Sequence, residues 1–146
     1  MHRRALIREA MVRALVAADT RAAQRVHDHP WNERTALPAL VVEDLGESQA
    51  AVTFGGLGAA RAIEREYLVQ VSAELQPLDD WARDRDELMA QVETAIANAA
   101  LPGVKAVVPS GYEAVEATQG ARPIVVGRQR FAVTYVTPAN NPEALL

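Results

Sequence analysis

The stretch REYLVQVSAEL, residues 65–75, decides the fold, because its side chains alternate in character along the chain. The first set comprises Tyr67, Val69, Val71, Ala73 and Leu75, and the second comprises Leu68, Gln70, Ser72 and Glu74. Successive side chains of a β-strand point to opposite faces of the sheet, so each set shares one face. The alternation therefore predicts a strand with one packed face and one partly polar face, as in an antiparallel sheet.

Shorter apolar stretches on both sides of this segment predict the neighbouring strands. Upstream they are a short edge strand within residues 22–29, ALVVE at 39–43 and AAVTF at 50–54, with DLGES at 44–48 as a turn. Downstream they are VKAVV at 104–108 and YEAVEAT at 112–118, around a turn of Pro109, Ser110 and Gly111. In the last stretch, residues 122–137, Gly127 marks either a bulge in one long strand or a break between two.

Two segments with helical spacing flank these strands. In residues 3–18 one stripe is formed by Ile7, Met11, Ala14, Leu15 and Ala18, and Arg4, Arg8, Glu9 and Arg13 lie largely off it. In residues 79–99 the stripe is formed by Trp81, Leu88, Val92, Ile96 and Ala99. Asp79 or Asp80 is the expected N-cap of this second helix, and Pro102-Gly103 ends it.

The order of helix, strands, helix and strands predicts an α+β fold. We expect a mainly antiparallel sheet with two main helices packed on one face, because segregated helices and strands are typical of that class. Residues 1–137 are expected to form a single domain, followed by a flexible C-terminal tail at 138–146, where no periodicity is found.

Composition limits the classes of function. The 146 residues carry a formal net charge of −4 and no cysteine, which excludes disulfides, thiol nucleophiles and cysteine-ligated metals. No apolar run approaches the length of a membrane span, and charged residues interrupt the N-terminal segment, so neither a span nor a signal peptide is expected. The acidic balance argues against sequence-specific binding of nucleic acid.

The glycine-rich stretch TFGGLGAARA, residues 53–62, raises the question of a phosphate-binding loop. Such a loop needs a lysine followed by a hydroxyl residue at the start of a helix, and this stretch has neither. It leads instead towards the strong strand signal of residues 65–75. We therefore expect a glycine-rich tip between two antiparallel strands, mobile in the free subunit and ordered against a partner.

The remaining polar residues form no recognisable catalytic or cofactor site. His27 and His29 have a spacing that suits zinc, but a third and a fourth ligand are not apparent. The carboxylates between Asp79 and Glu87 are expected to be a solvated face at a helix start. None of the serines lies in a nucleophile elbow. We expect no catalytic residue, no cofactor and no metal.

Three stretches of this sequence resemble the tail terminator family of long-tailed bacteriophages, the lambda-type minor tail proteins that cap the tail tube. They are HRRALIREAMVRALV with HPWNERTALPALVVEDLGE, then REYLVQVSAEL running into DDWARDRDELMAQVETAI, and finally GYEAVEATQGARPIVVGRQRFAVTYVT. The strand LPALVVE, Leu37 to Glu43, and the ending FAVTYVT are the most typical pieces. The resemblance covers almost the whole chain and rests on apolar patterns and turns.

The resemblance implies a structural virion protein without catalytic residues. Such a protein forms a ring, hexameric in the family, on the last ring of the tail-tube protein, and it stops polymerisation there. Its expected partners are copies of itself, the major tail-tube protein and a head-completion or connector protein. The expected location is the virion, at the head–tail junction, after assembly in the host cytoplasm.

We predict that the candidate interface lies at the glycine tip. Its residues are Gly55, Gly56, Leu57, Gly58, Arg61 and Arg65. Three alternatives stay open: another head–tail connector or tail-completion subunit, a ligand-binding or enzymatic domain that uses the Gly55–Gly58 loop, and a nucleic-acid contact through the Arg3–Arg13 helix face.

Overall fold

The computed structural model describes residues 2–28, 36–53, 61–119 and 122–144, which form two helices and one sheet. In chain order the elements are α1 (Arg3–Ala17), β1 (Val26–His27), β2 (Ala39–Thr53), β3 (Arg61–Leu75), α2 (Trp81–Ala97), β4 (Val104–Gln119) and β5 (Arg122–Pro138). The strand order is β1-β2-β3-β5-β4, in which β1 pairs parallel and the other neighbours pair antiparallel. The predicted α+β class is confirmed.

Both helices pack on the face of the sheet that carries the first set of β3 side chains, from Tyr67 to Leu75. The core between them is formed by the following residues: Ile7, Met11, Leu15, Leu40, Val42, Tyr67, Val69, Val71, Leu88, Val92, Ile96, Phe131, Val133 and Tyr135. Burying one such aliphatic or aromatic side chain stabilises a fold by about 1.5–3 kcal/mol. Most of the helical side chains in this core belong to the stripes that the sequence predicted for the two helices.

The prediction of two short strands joined by a turn at residues 44–48 was wrong. Residues 39–53 form the single strand β2, which contains a bulge between Asp44 and Glu47. Gly46 has a φ of 100°, a conformation that glycine adopts without the penalty of a side chain. A bulge inserts an extra residue and bends the strand without ending it. The polar, glycine-containing sequence DLGES thus marks an irregularity in pairing rather than a reversal of the chain.

The predicted turn at Pro109, Ser110 and Gly111 was wrong for a similar reason. Residues 104–119 form the single strand β4, and the pairing with β5 shifts between Pro109 and Gly111. β4 lies at the edge of the sheet. Proline is tolerated there, since an edge strand does not need every N–H group for the ladder.

Gly127 neither breaks β5 nor forms a bulge in it. The residue pairs in regular register with Ala73 on one side and Ala114 on the other. A Cβ atom at this position would lie 3.0 Å from the Tyr112 hydroxyl and 3.1 Å from Cγ of Arg85. The glycine therefore makes room for the arginine side chain, whose guanidinium also lies 5.2 Å from the centroid of the Trp81 ring.

Replacing Gly127 with valine is expected to lower the free energy of unfolding by about 1–3 kcal/mol, because the added methyl groups overpack this contact. Urea unfolding followed by circular dichroism measures the effect. Gly111→Val is the matched control, since a Cβ atom at Gly111 meets nothing within 4 Å. Equal losses in the two variants would contradict the packing explanation.

The ends of the elements agree only in part with the sequence predictions. The N-cap of α2 is Asp80, as expected, but its φ is 61° and its side chain makes no capping hydrogen bond. The carboxylate instead accepts from Arg83 at 3.1 Å. The edge strand expected within 22–29 is present as Val26–His27. β5 reaches Pro138, and the flexibility of the tail beyond it stays a prediction. No helix of the described ranges is long and apolar enough to cross a membrane.

Candidate interface at the sheet edges and the base of the β2–β3 hairpin

Most of the predicted glycine tip, residues 54–60, lies outside the described residues. This range includes Gly55, Gly56, Leu57 and Gly58. The strands on both sides of it are antiparallel neighbours, with Thr53 paired to Arg61. A phosphate-binding loop lies between a strand and a helix. The predicted position of the stretch, between two antiparallel strands, is therefore confirmed, and its role in an interface stays a prediction.

Arg65, which was predicted as an interface residue, lies inside the subunit. Its side chain is only 6% exposed and pairs with the Glu47 carboxylate, whose exposed fraction is 1%. The distance from Nη1 of Arg65 to Oε2 of Glu47 is 2.9 Å, and Nε of Arg65 donates to the Thr137 hydroxyl at 2.9 Å. Arg65 therefore joins β2, β3 and β5 just below the tip, and an exposed rim contact would require this pairing to open.

Two further residues complete what we call the Glu47 cluster, which comprises Glu47, Arg65, Thr137, Arg4 and Tyr135. Arg4 of α1 lies 3.4 Å from Oε2 of Glu47, and the Tyr135 hydroxyl donates to Oε1 of the same carboxylate. The cluster thus ties the first turn of α1 to three strands. Buried polar groups that satisfy each other in this way specify one arrangement of the elements that carry them.

The protonation of the cluster follows from these contacts. Burial disfavours the charge on Glu47, but hydrogen bonds from Tyr135, Gln49 and Arg65 outweigh it and lower the pKa of Glu47. Burial raises the pKa of Tyr135, and its hydrogen bond to the Glu47 carboxylate raises that pKa further. At neutral pH the tyrosine is therefore a neutral donor to an ionised carboxylate.

A second set of contacts uses Arg8 of α1. Its guanidinium pairs with Asp28 at 3.0 Å and with Asp44 at 3.1 Å, and it donates to the Tyr67 hydroxyl at 2.8 Å. Arg4 and Arg8 lie off the apolar stripe of α1, as the sequence predicted, and the structure directs both of them to acidic partners near the sheet. The Arg3–Arg13 face therefore offers fewer free cations to a nucleic acid than the sequence suggests.

The outer strands leave two long edges of the sheet open among the described residues. β1 pairs only with Leu40 and Val41, so the outer side of β2 from Val42 to Thr53 has no described partner strand. β4 pairs with β5 on one side only. An open edge presents unpaired N–H and C=O groups that can accept another strand. Each of the two edges carries one of the bulges described above, which restricts the strands that can pair with it.

Strand direction relates the two open edges to each other. Going across the sheet, β2, β3, β5 and β4 alternate in direction, because each pair of neighbours is antiparallel. β4 and β2 consequently run in opposite directions. If a second copy continues the sheet with the same orientation, its β2 lies antiparallel to β4 of the first copy. The two edges thus have the polarity that head-to-tail association requires.

Two features of the described residues bear on the alternative of a ligand-binding or enzymatic domain. No group of three or more His, Asp or Glu side chains within the described ranges is arranged to hold a metal ion. A depression of about 680 Å³ lies between the helices and is lined mainly by small side chains such as Ala14, Ala90 and Ala95. Its lining includes no residue of the β2–β3 hairpin. His29 of the suggested His27–His29 pair lies outside the described residues.

The comparisons with known proteins give a structural likeness. No protein-family model matches the sequence, and no curated protein sequence matches it. The chain is similar to a chain of a solved structure described as the virion of a native gene transfer agent (GTA) particle. The TM-score is 0.53 and the sequence identity is 14%, over 88% of this chain and 94% of that chain. At this identity the likeness shows the shared fold.

Proposed function

We propose that this chain is a structural protein of a phage-like virion, a tail terminator that forms a ring on the end of the tail tube. The observation that carries the proposal is the pair of open sheet edges with opposite polarity. A heterologous contact between unlike edges repeats from copy to copy, and it closes into a ring when the rotation between copies is right.

Two further points support a role in a virion. The fold is shared along nearly the whole length of a chain from a gene transfer agent virion. The sequence pattern resembles tail terminators from the first helix to the last strand. The ring size of six, the head–tail junction as location and the partners (the tail-tube protein and a connector protein) come from that resemblance and belong to the proposal.

The mechanism would be steric capping without any chemical reaction. A tube subunit polymerises because each exposed end fits the next ring of subunits. A terminator ring that fits this end and presents a different far face leaves no site for further addition. Several weak contacts made at once give the ring high avidity for the tube end, even where each single contact is modest.

Deletion of the gene for this chain from the producing particle tests the proposal. We expect tails of irregular, mostly greater length that do not join to heads, because nothing stops the addition of tube subunits. Electron microscopy of the particles measures tail length, and expression of the wild-type chain in trans should restore one uniform length.

Two outcomes would speak against the proposal. Tails of normal, uniform length on full heads would exclude a terminator role. Tails of normal length that fail to join heads would instead favour a connector or tail-completion subunit, which acts after length is set.

A further inference from the structure

Residues that pair with one another across the strands form a row perpendicular to them. One such row has an apolar residue at each of the two open edges. Leu68 of β3 pairs with Ala132 of β5, which pairs with Val108 of β4. On the other side, Leu68 lies opposite the β2 bulge, where the register passes from Asp44 to Glu47 and leaves Leu45 unpaired. Leu45 is 39% exposed and Val108 is 55% exposed, so each edge ends this row with an uncovered aliphatic side chain.

The adjacent row ends in opposite charges. It runs from Glu43 through Gln70 and Arg130 to Gly111. Gly111 has no side chain and open space around its Cα, so Arg130 of β5 is not covered from the β4 side. This row therefore presents a carboxylate at the β2 edge and an accessible guanidinium at the β4 edge.

Neither charge has an ionic partner among the described residues. Arg130 donates to Oε1 of Gln70 at 3.4 Å, and Glu43 accepts from the Ser72 hydroxyl at 3.3 Å. The nearby cations differ in this respect. Arg128 pairs with Glu113 at 3.0 Å, and Lys105 pairs with Glu64 at 3.4 Å. Arg130 and Glu43 are thus left for a partner outside the described part of the subunit.

We propose that β2 of one copy pairs antiparallel with β4 of the next copy, with Glu43 opposite Gly111 and Leu45 opposite Val108. In this register the Arg130 guanidinium reaches over Gly111 to the neighbour's Glu43, and the two exposed aliphatic side chains cover each other. Leu45 lies two positions after Glu43 and Gly111 lies three positions after Val108, so both contacts form in one antiparallel register when the β4 irregularity between Pro109 and Gly111 takes up the extra residue. The inference rests on the proposed ring and specifies its subunit contact.

The strand that pairs with each open edge comes from a second copy of the chain, because the two edges are complementary in charge and in strand direction. The β4 edge offers a cation beside an apolar residue, and the β2 edge offers an anion beside an apolar residue. The β2 bulge lies opposite Leu68, and the β4 irregularity lies between the rows of Val69 and Gln70, so the two ladders are interrupted at nearly the same height. A regular strand from an unrelated protein would meet such an edge with mismatched spacing.

Reversal of the two charges tests the contact. Glu43→Arg and Arg130→Glu should each reduce the fraction of capped tube ends by about tenfold or more, since like charges then oppose each other across the interface. The double variant should recover to within about threefold of the wild type, because it restores an opposite pair. Capping is counted by electron microscopy of purified tubes mixed with each variant. Glu66→Arg is the matched control, as an exposed acidic residue on the inner strand β3.

Disulfide trapping tests the register. Because the sequence contains no cysteine, only the introduced cysteines can form a cross-link. Leu45→Cys with Val108→Cys should give a ladder of cross-linked oligomers on oxidised, capped tubes, since disulfides need Cα atoms about 4–7 Å apart. Leu45→Cys with Thr118→Cys, at the far end of β4, should give none. Thermal unfolding of every variant by circular dichroism identifies any that fail to fold.

The outcomes separate this inference from the proposed function. Wild-type protein that caps tubes, combined with no 45–108 cross-link or no recovery in the charge-swapped double variant, would refute the register and leave the terminator role intact. Wild-type protein that neither binds tube ends nor forms rings would refute the proposed function and this contact together.

Discussion

Glu47→Ala is expected to lower the free energy of unfolding by about 3–5 kcal/mol, a large share of a typical domain's stability. The carboxylate is 1% exposed and neutralises the guanidinium of Arg65, which is itself nearly buried. Removing it leaves that cation without an anion in a site from which water is excluded. Urea unfolding at pH 7, followed by circular dichroism, measures the loss.

Two control variants test whether this loss of stability comes from the unpaired buried charge. The double variant Glu47→Leu with Arg65→Met should recover most of the stability, since replacing a whole buried pair by apolar residues is often close to neutral. Glu113→Ala removes an exposed ion pair with Arg128 and should cost less than about 1 kcal/mol. A loss below about 1 kcal/mol for Glu47→Ala itself would mean that the cluster contributes little to the fold.

The Glu47 cluster also bears on the proposed ring. It fixes the bulged part of β2 against β3 and β5, and that bulge lies within the open β2 edge. Loss of the cluster should therefore distort the edge that carries Leu45 and Glu43. Reduced capping by Glu47→Ala would then follow from a change in the edge, whereas the charge-reversal variants alter the contact directly.

The sequence predicted the fold class because the dominant signal is local. Alternation from Tyr67 to Leu75 depends only on neighbouring residues, and the helical stripes do as well. The long strands were predicted as shorter pieces because Gly46 and Pro109 are typical of turns. Whether such a residue reverses the chain or forms a bulge depends on the partner strand, which local sequence does not specify.

The buried charges were missed for a related reason. Glu47 and Arg65 lie on different strands, and a pairing between strands cannot be read from either segment alone. One signal was present: Arg65 has the same parity as Tyr67 and Val69, which places it on the packed face. An arginine at an inward position needs an anion, because burial of an unpaired charge is costly.

Phe131→Ala is expected to destabilise the chain by about 3–5 kcal/mol, through lost burial and the cavity left behind. Phe131 is 1% exposed and lies between Val69 and Pro109 in the register. Phe131→Leu keeps most of the volume and should cost less than about 1.5 kcal/mol. Thermal unfolding by circular dichroism measures both, and equal losses in the two variants would argue against a tightly packed site.

Tube capping by Phe131→Ala distinguishes a loss of folding stability from the loss of a contact between subunits. Phe131 faces the helices, whereas Glu43 and Arg130 share the opposite face. The variant should therefore cap tubes normally at low temperature and fail on warming, as its folded fraction falls. The charge-reversal variants should fail at every temperature while remaining folded. A Phe131→Ala protein that is fully folded yet cannot cap tubes would mean that the core side of the sheet takes part in the interface itself.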